Sequence, residues 1–198
     1  PALTAYQFQR CRSPEQNSTS HFVIVDREGN IVSMTSTIEN GFGSRLMVNG
    51  FLLNNELTDF SFAPTKNGNR IANSVQAGKR PRSSMAPTIV FKNDQPYLAI
   101  GSPGGSRIIN YVTNSLIAIL DWNFSIQAAL DMPHIVNRFG TMDVEKNSKA
   151  AALINDFKTF GYKVSERDLN SGLHAVMFTK NGMIGAADNR REGTALGD

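Results

Sequence analysis

At 198 residues the chain is long enough for one domain with a substantial core and too short for two full ones. Hydrophobic residues make up 40% and charged residues 19%, which excludes a disordered chain, and apolar runs such as residues 115–120 fall far short of a bilayer span. The formal charge of +3 is spread along the chain, and its densest basic cluster, Lys79-Arg80-Pro81-Arg82, lacks interleaved aromatics, so nucleic acid is not an expected partner.

Residues 1–18 are polar, without apolar periodicity, and read as a tail or linker. The single Cys11 has no partner for an intrachain disulfide, so cysteine usage fixes no redox compartment. The opening Pro1-Ala2-Leu3-Thr4-Ala5-Tyr6 lacks the basic start and apolar run of a signal peptide. Residues 21–25 and 31–38 are strand-like runs around Asp26-Arg27-Glu28-Gly29-Asn30, which predicts a hairpin. In the second run Ile31, Ser33, Thr35 and Thr37 share one face and Val32, Met34, Ser36 and Ile38 the other. One face therefore carries hydroxyls, unusual for a core strand. A Gly-bearing loop over 39–50 leads to Phe51-Leu52-Leu53, expected to be a short buried segment. Residues 62–82 read as a long polar surface loop, a kind of segment that is more often functional than idle.

Residues 88–91 and 97–100 predict a second hairpin, which runs into Gly101-Ser102-Pro103-Gly104-Gly105-Ser106. Apolar Ile108, Ile109, Val112, Leu116, Ile119 and Leu120 predict an amphipathic helix over 106–121 with Ser106 as its N-cap. A shorter helix is expected over 125–130, stopped by Pro133, and a third over 147–160, ending at Gly161. A last hairpin, 174–179 with 183–187, turns at Lys180-Asn181-Gly182. Hairpins with helices between them imply a layered α+β domain with antiparallel pairing. His21, His134 and His174 are far apart and there is no second cysteine, so no metal-ligand spacing is present and each His is expected to be structural.

The run Asn17-Ser18-Thr19-Ser20-His21-Phe22 feeds hydroxyl residues directly into the first strand. A cut before Thr19 would leave an N-terminal residue carrying both a hydroxyl nucleophile and an amine to serve as its base. Ser and Thr also crowd strand starts for local hydrogen bonding alone. Further polar stretches stand at the ends of predicted elements: Glu56-Leu57-Thr58-Asp59, Pro81-Arg82-Ser83-Ser84-Met85 and Gly101-Ser102-Pro103-Gly104-Gly105-Ser106-Arg107. Taken with Thr35-Ser36-Thr37-Ile38, Phe42-Gly43-Ser44 and Leu52-Leu53-Asn54-Asn55, they resemble the small catalytic subunit of γ-glutamyltranspeptidases. The resemblance runs from about Asn17 to Asp188-Asn189-Arg190-Arg191-Glu192-Gly193.

That resemblance implies the small-subunit half of a four-layer αββα N-terminal-nucleophile sandwich over residues 19–198, preceded by a large-subunit tail over 1–18. It implies Thr19 as the nucleophile, freed by autocatalytic cleavage after Ser18, and Thr37 as the second threonine beside it. Gly104 and Gly105 match the backbone donors of the oxyanion hole, where paired glycines let two N–H groups turn toward the developing charge. Glu56 and Asp59 match the acidic pair that holds the donor's α-amino group, and Ser83 and Ser84 the hydroxyls on its α-carboxylate. No cofactor or metal is implied. The implied partners are a γ-glutamyl substrate such as glutathione, an amino-acid or peptide acceptor, and the large subunit of the same precursor.

Two departures shape the expectation. The family's γ-glutamyl enzymes commonly carry Asn two residues after the second threonine, helping to grip the substrate head; here Glu39 takes that substrate-binding place, and in that stretch the chain is more similar to branches that include cephalosporin-acylase-like members. Cleavage of γ-glutamyl amides is the first reading, an acylase acting on glutaryl or related amides the second, and an inactive fragment lacking its large subunit the third. A chain still joined at Ser18–Thr19 has no free amine on Thr19 and is expected to be silent. By resemblance to bacterial members, a periplasmic or secreted location is expected.

Overall fold

The structure is a computed structural model that describes residues 19–138 and 140–197; the tail over 1–18, with Ser18, lies outside the described residues. β1 (Thr19–Val25) and β2 (Ile31–Thr37) form the expected antiparallel hairpin, with Thr19 opposite Thr37 and His21 opposite Thr35. Asp26 closes its turn by accepting from the backbone N–H and the side-chain amide of Asn30, both at 2.7 Å. β3 (Met47–Val48) pairs with β4 (Phe51–Leu52), a 3-10 turn spans Glu56–Asp59, and β5 (Thr65–Lys66) pairs with β6 (Asn69–Arg70) inside the long loop. The segment at 51–53 is not buried as expected: Phe51 is 59% exposed, because a two-residue ladder offers no sheet face to pack on.

β7 (Thr88–Lys92) and β8 (Gln95–Gly101) make the second hairpin, and a 3-10 turn over Gly105–Arg107 leads into α1 (Ile108–Leu120). Ser106 is therefore not the helix N-cap: that position falls to Arg107, which makes no side-chain capping bond, because the chain enters the helix through the tighter turn. α2 (Ile126–Leu130) is capped by Ser125, whose Oγ accepts from Ala128 N at 3.4 Å. β9 (Ile135–Asn137) and β10 (Thr141–Glu145) follow, then a 3-10 stretch over Lys149–Leu153 and α3 (Ile154–Thr159), which divide the expected third helix. β11 (Lys163–Arg167), β12 (His174–Thr179) and β13 (Gly182–Ala187) complete the chain.

β8 is the structural centre. The order β13-β12-β8-β7 makes an antiparallel sheet, with the β1–β2 hairpin packed against β8 and β12 and the helices on the other side. Leu98, Ala99, Ile100 and Gly101 are consequently all buried, since both faces of β8 are covered. The main core joins Leu98, Ile100 and Ala175 of the sheet to Ile108, Tyr111, Val112 and Ile119 of α1 and to Leu130 of α2. Each fully buried Leu or Ile there contributes about 1.5–3 kcal/mol. The helices, the four-stranded sheet and the hairpin are three stacked layers.

The three-stranded sheet, β11-β10-β9, was not anticipated, and its β10–β11 pair is parallel, against the expectation of antiparallel pairing throughout. The stretch over 147–160 is the crossover that such a pair requires. The hydroxyl-bearing face of β2 turns inward, where Ser33 Oγ donates to Ile100 O at 3.3 Å, while Phe22, Ile24, Val32 and Met34 face outward and are exposed.

Candidate active site

The hairpin register brings the two threonines together. Thr19 is 8% exposed at the head of β1, and its Oγ1 donates to Thr37 Oγ1 at 3.2 Å. Thr37 Oγ1 also accepts from Glu39 N at 2.9 Å, which fixes the hydroxyl and the turn after β2 in one geometry. Glu39 sits at φ 73, a left-handed conformation uncommon for a residue with a Cβ. From the far end of the chain, Arg191 donates to Thr19 O at 3.4 Å, to Ser171 O at 2.9 Å and to Asn170 O at 3.1 Å. In the sequence Arg191 only marks where the resemblance ends; no local signal ties it to the first strand.

β8 delivers the glycine pair. Gly101 passes so close under His21 that a Cβ there would lie 2.2 Å from the imidazole ring. Gly104 at φ 134 and Gly105 at φ 60 then turn the chain out of the sheet in conformations that favour glycine. A Cβ on Gly104 would stand 2.6 Å from the Tyr111 ring, whereas one on Gly105 would meet nothing within 4 Å.

Loops bring the carboxylates together. Asn40 N donates to Asn55 Oδ1 at 2.9 Å, Asn55 N to Ile38 O at 3.2 Å and Glu56 N to Asn54 Oδ1 at 2.9 Å, tying the turn after β2 to the 3-10 turn. Glu39, Glu56 and Asp59 thereby have carboxylate oxygens within 4.8 Å of one another. Partial burial and the charge of Asp59 raise the carboxyls of both Glu39 and Glu56 above the usual range. Three acids at this spacing favour a cation, whether an ammonium group or a metal ion. Asn73 extends the stitching: its amide donates to Asp59 O at 2.6 Å and its Oδ1 accepts from Arg82 N at 3.0 Å, which sets the loop bearing Ser83 and Ser84 beside the acids.

A cavity of about 1000 Å³ gathers these parts. Thr19, Thr37, Glu39, Glu56, Asp59, Ser83, Ser84, Gly104 and Gly105 all line it. So do Arg107, Arg138 and Arg167, which sequence reasoning did not single out.

The histidines lie in packing rather than in this cavity's lining. His134 Nε2 pairs with Ser171 Oγ at 2.7 Å, and Ser171 Oγ donates to Asp188 Oδ2, while the other oxygen of that carboxylate, Oδ1, accepts from Arg190 at 3.0 Å. The hydroxyl lies between ring and carboxylate and is fully buried, so this is a packing network and not a nucleophile with its base. Burial, reinforced by the charge of Arg190, pulls His134 down to about 4; burial and the charge of His174 do the same to His21, whose Nδ1 pairs with Thr35 Oγ1 at 2.8 Å.

The family description Gamma-glutamyltranspeptidase matches residues 2–198. The chain belongs to this family. The glutathione hydrolase proenzyme of Bacillus subtilis (strain 168) is 36% identical over 196 residues, which cover 96% of this chain and 32% of that protein. Among solved structures, a mutant gamma-glutamyltranspeptidase of Helicobacter pylori superposes with a TM-score of 0.77 at 36% identity, over 86% of this chain and 99% of that one. Gamma-glutamyltranspeptidase from Pseudomonas nitroreducens, complexed with L-DON, superposes at 0.80 with 31% identity, over 90% of this chain and 98% of that one. The fold is that of the N-terminal-nucleophile hydrolases, and the three layers described above are the small-subunit half of the αββα sandwich. The chain spans about a third of the length of the curated relatives it matches. Among the described residues no helix is long and apolar enough to cross a membrane.

Proposed function

We propose that this chain is the catalytic part of an N-terminal threonine amidohydrolase that cleaves γ-glutamyl amides and passes the γ-glutamyl group to water or to an acceptor amine. One observation carries the reading: the Thr19–Thr37 hydroxyl pair, the left-handed glycines and the three-carboxylate cluster line one cavity. Cleavage of Ser18–Thr19 frees an α-amine, a group that ordinarily titrates at about 8, so a useful fraction is neutral at working pH. Thr19 Oγ1 attacks the γ-carbonyl as its proton passes to that amine, and Thr37 holds the hydroxyl in line. The backbone N–H groups of Gly104 and Gly105 stabilise the oxyanion. The C–N bond then breaks as the amine proton moves to the leaving nitrogen, leaving a γ-glutamyl ester on Thr19 that water or an acceptor amine opens.

Glu39, Glu56 and Asp59 hold the donor's ammonium group, and Ser83 and Ser84 its α-carboxylate. Glu39 bears on the choice between readings. In the sequence it is a departure that favours an acylase, but in space it adds a third negative charge to the ammonium site, which disfavours a glutaryl group with no amine. The apolar outer face of the hairpin, with Phe22, Ile24, Val32 and Met34 exposed, supports a large subunit from the same precursor as the layer that covers it. Curated relatives are named proenzymes, which supports maturation by cleavage before Thr19, with residues 1–18 as the tail of the preceding part and 19–198 as the catalytic part; a periplasmic or secreted location goes with that reading.

The test uses the full-length precursor and its Thr19→Ala variant. The parent is expected to split into two chains, the smaller beginning at Thr19, and to hydrolyse a γ-glutamyl anilide in preference to the glutaryl anilide; the variant is expected to do neither. A processed or active Thr19→Ala protein ends this reading.

A further inference from the structure

A second charged wall lines the same cavity, and the steps proposed above do not use it. Arg107, at the start of α1, donates through Nε and Nη2 to Asp143 Oδ2 at 3.1 and 2.8 Å. Arg138, just after β9, donates to the same oxygen at 3.4 Å and to Ser106 Oγ at 2.5 Å. Arg167, at the end of β11, stands 3.6 Å from Asp143 Oδ1. Three guanidiniums thus share one carboxylate, and positive charge remains in excess even when Asp168, also in the cavity lining, is counted.

The arrangement is layered. The Asp143 side chain is only 5% exposed, whereas those of Arg107, Arg138 and Arg167 are 20%, 35% and 50% exposed. Burial works to raise the Asp143 carboxyl, but the Arg107 hydrogen bonds and the charges of Arg107, Arg167 and Arg138 outweigh it and hold it below the usual range. Asp143 is therefore a buried anionic anchor that positions three cations at the cavity surface. Among the described residues, the Arg167 guanidinium makes an ion pair and no hydrogen bond, although such a group carries five N–H donors. These donors suit carboxylates, which arginine takes in paired fashion.

Position in the chain says which half of a substrate meets this wall. The ammonium cluster stands on the loops after β2 and β4, with Ser83 and Ser84 before β7, while the arginines stand just before α1, just after β9 and at the end of β11. Ser106 and Arg107 follow directly on the glycine pair, so the wall continues from the point where the carbonyl oxygen would sit. We propose that Arg107, Arg138 and Arg167 form a carboxylate subsite for the amine half of the reaction, selecting leaving groups and acceptors that are acidic amino acids or acidic peptides. This rests on the γ-glutamyl reading given above for which half of the substrate it serves, though the anion site itself does not.

The experiment uses the processed full-length enzyme, with Arg138→Gln, Arg167→Gln and Arg167→Lys variants, and two readouts. Calorimetric titration with triglutamate, which has no γ-glutamyl amide to cleave, is expected to show salt-sensitive binding that trialanine lacks. Each Gln variant weakens it about tenfold, and Lys at 167 keeps most of it. In turnover, the ratio of kcat/KM for γ-glutamyl-diglutamate to that for γ-glutamyl-dialanine is expected to fall about tenfold in each Gln variant. Arg167 is half exposed, so its variants keep the test intact if removing Arg138 disturbs the fold. Arginine-dependent triglutamate binding without any γ-glutamyl cleavage would leave the subsite standing and remove the functional reading. Cleavage that ignores the charge of the amine half, with triglutamate binding absent or unaltered by the substitutions, would overturn the subsite alone.

Discussion

Gly104 and Gly105 are neighbours, yet a methyl group meets different surroundings at each. At Gly105, φ 60 imposes only the left-handed penalty, about 1–2 kcal/mol for a residue with a Cβ, and the space beside it is open. At Gly104 the same kind of penalty is joined by a 2.6 Å approach to Tyr111, a residue that is 1% exposed and whose ring packs at a tilt with its centroid 4.2 Å from that of His134. That ring has no room to retreat. Gly104→Ala is therefore expected to lower the urea midpoint well beyond Gly105→Ala, and both to depress kcat more than they raise KM, because both move the proposed oxyanion donors. Equal midpoints would mean that Tyr111 yields and that the close packing is not what holds the turn.

At the scale of elements, the long loop over 62–82 is stitched to its neighbours rather than hanging free. Asn73 is the stitch, bonding to Asp59 O on one side and Arg82 N on the other. Asn73→Ala is expected to raise KM for the proposed γ-glutamyl donor about tenfold with little change in kcat or in the melting temperature, since it loosens the loops bearing Glu56, Asp59, Ser83 and Ser84 and spares the core. A fall in kcat at constant KM would argue against that assignment. What was legible in the sequence follows the same division. The three hairpins were legible because alternation and turn residues such as Asn181-Gly182 are local signals. The β9–β11 sheet was not, because Asp143 occupies a buried position in β10 that only the arginines before α1, after β9 and at the end of β11 make tolerable, and that rescue is non-local. The same reason hid the arginine wall and Arg191. Thr19, the glycine pair, Glu56, Asp59 and the serines stand out in ordered motifs, and Glu39 stands at the place of the family's Asn, but that its carboxylate meets those of Glu56 and Asp59 was decided by loop hydrogen bonds no pattern encodes.

On the scale of the whole molecule, the layers bury two histidines as neutral rings, and this fixes the response to acid. His21, between the hairpin and β8, and His134, beneath Tyr111, are 5% and 1% exposed, and each falls from an ordinary 6.5 to about 4 in the fold. Above pH 6.5 both folded and unfolded forms are neutral there and nothing is lost. As pH drops from 6.5 toward about 4 the unfolded chain takes up protons that the folded one refuses, so stability falls, by at most about 1.4 kcal/mol per pH unit for each proton. Glu39 and Glu56 act with the opposite sign: their raised carboxyls cost stability at neutral pH, and that cost is relieved as they protonate above the ordinary 4.5. They lie at a half-exposed rim where water screens the repulsion, whereas the histidines are enclosed, so the histidine loss wins. Urea unfolding of the processed enzyme at pH 7.5, 6.5, 5.5 and 4.5 is expected to give a plateau across the first two and a steady decline across the last two. A His134→Gln variant, although less stable throughout, should decline less steeply, because one of the refused protons is gone. A midpoint that stays level down to the lowest pH would mean that these rings accept protons inside the fold, and that the layers admit water where the packing says they do not.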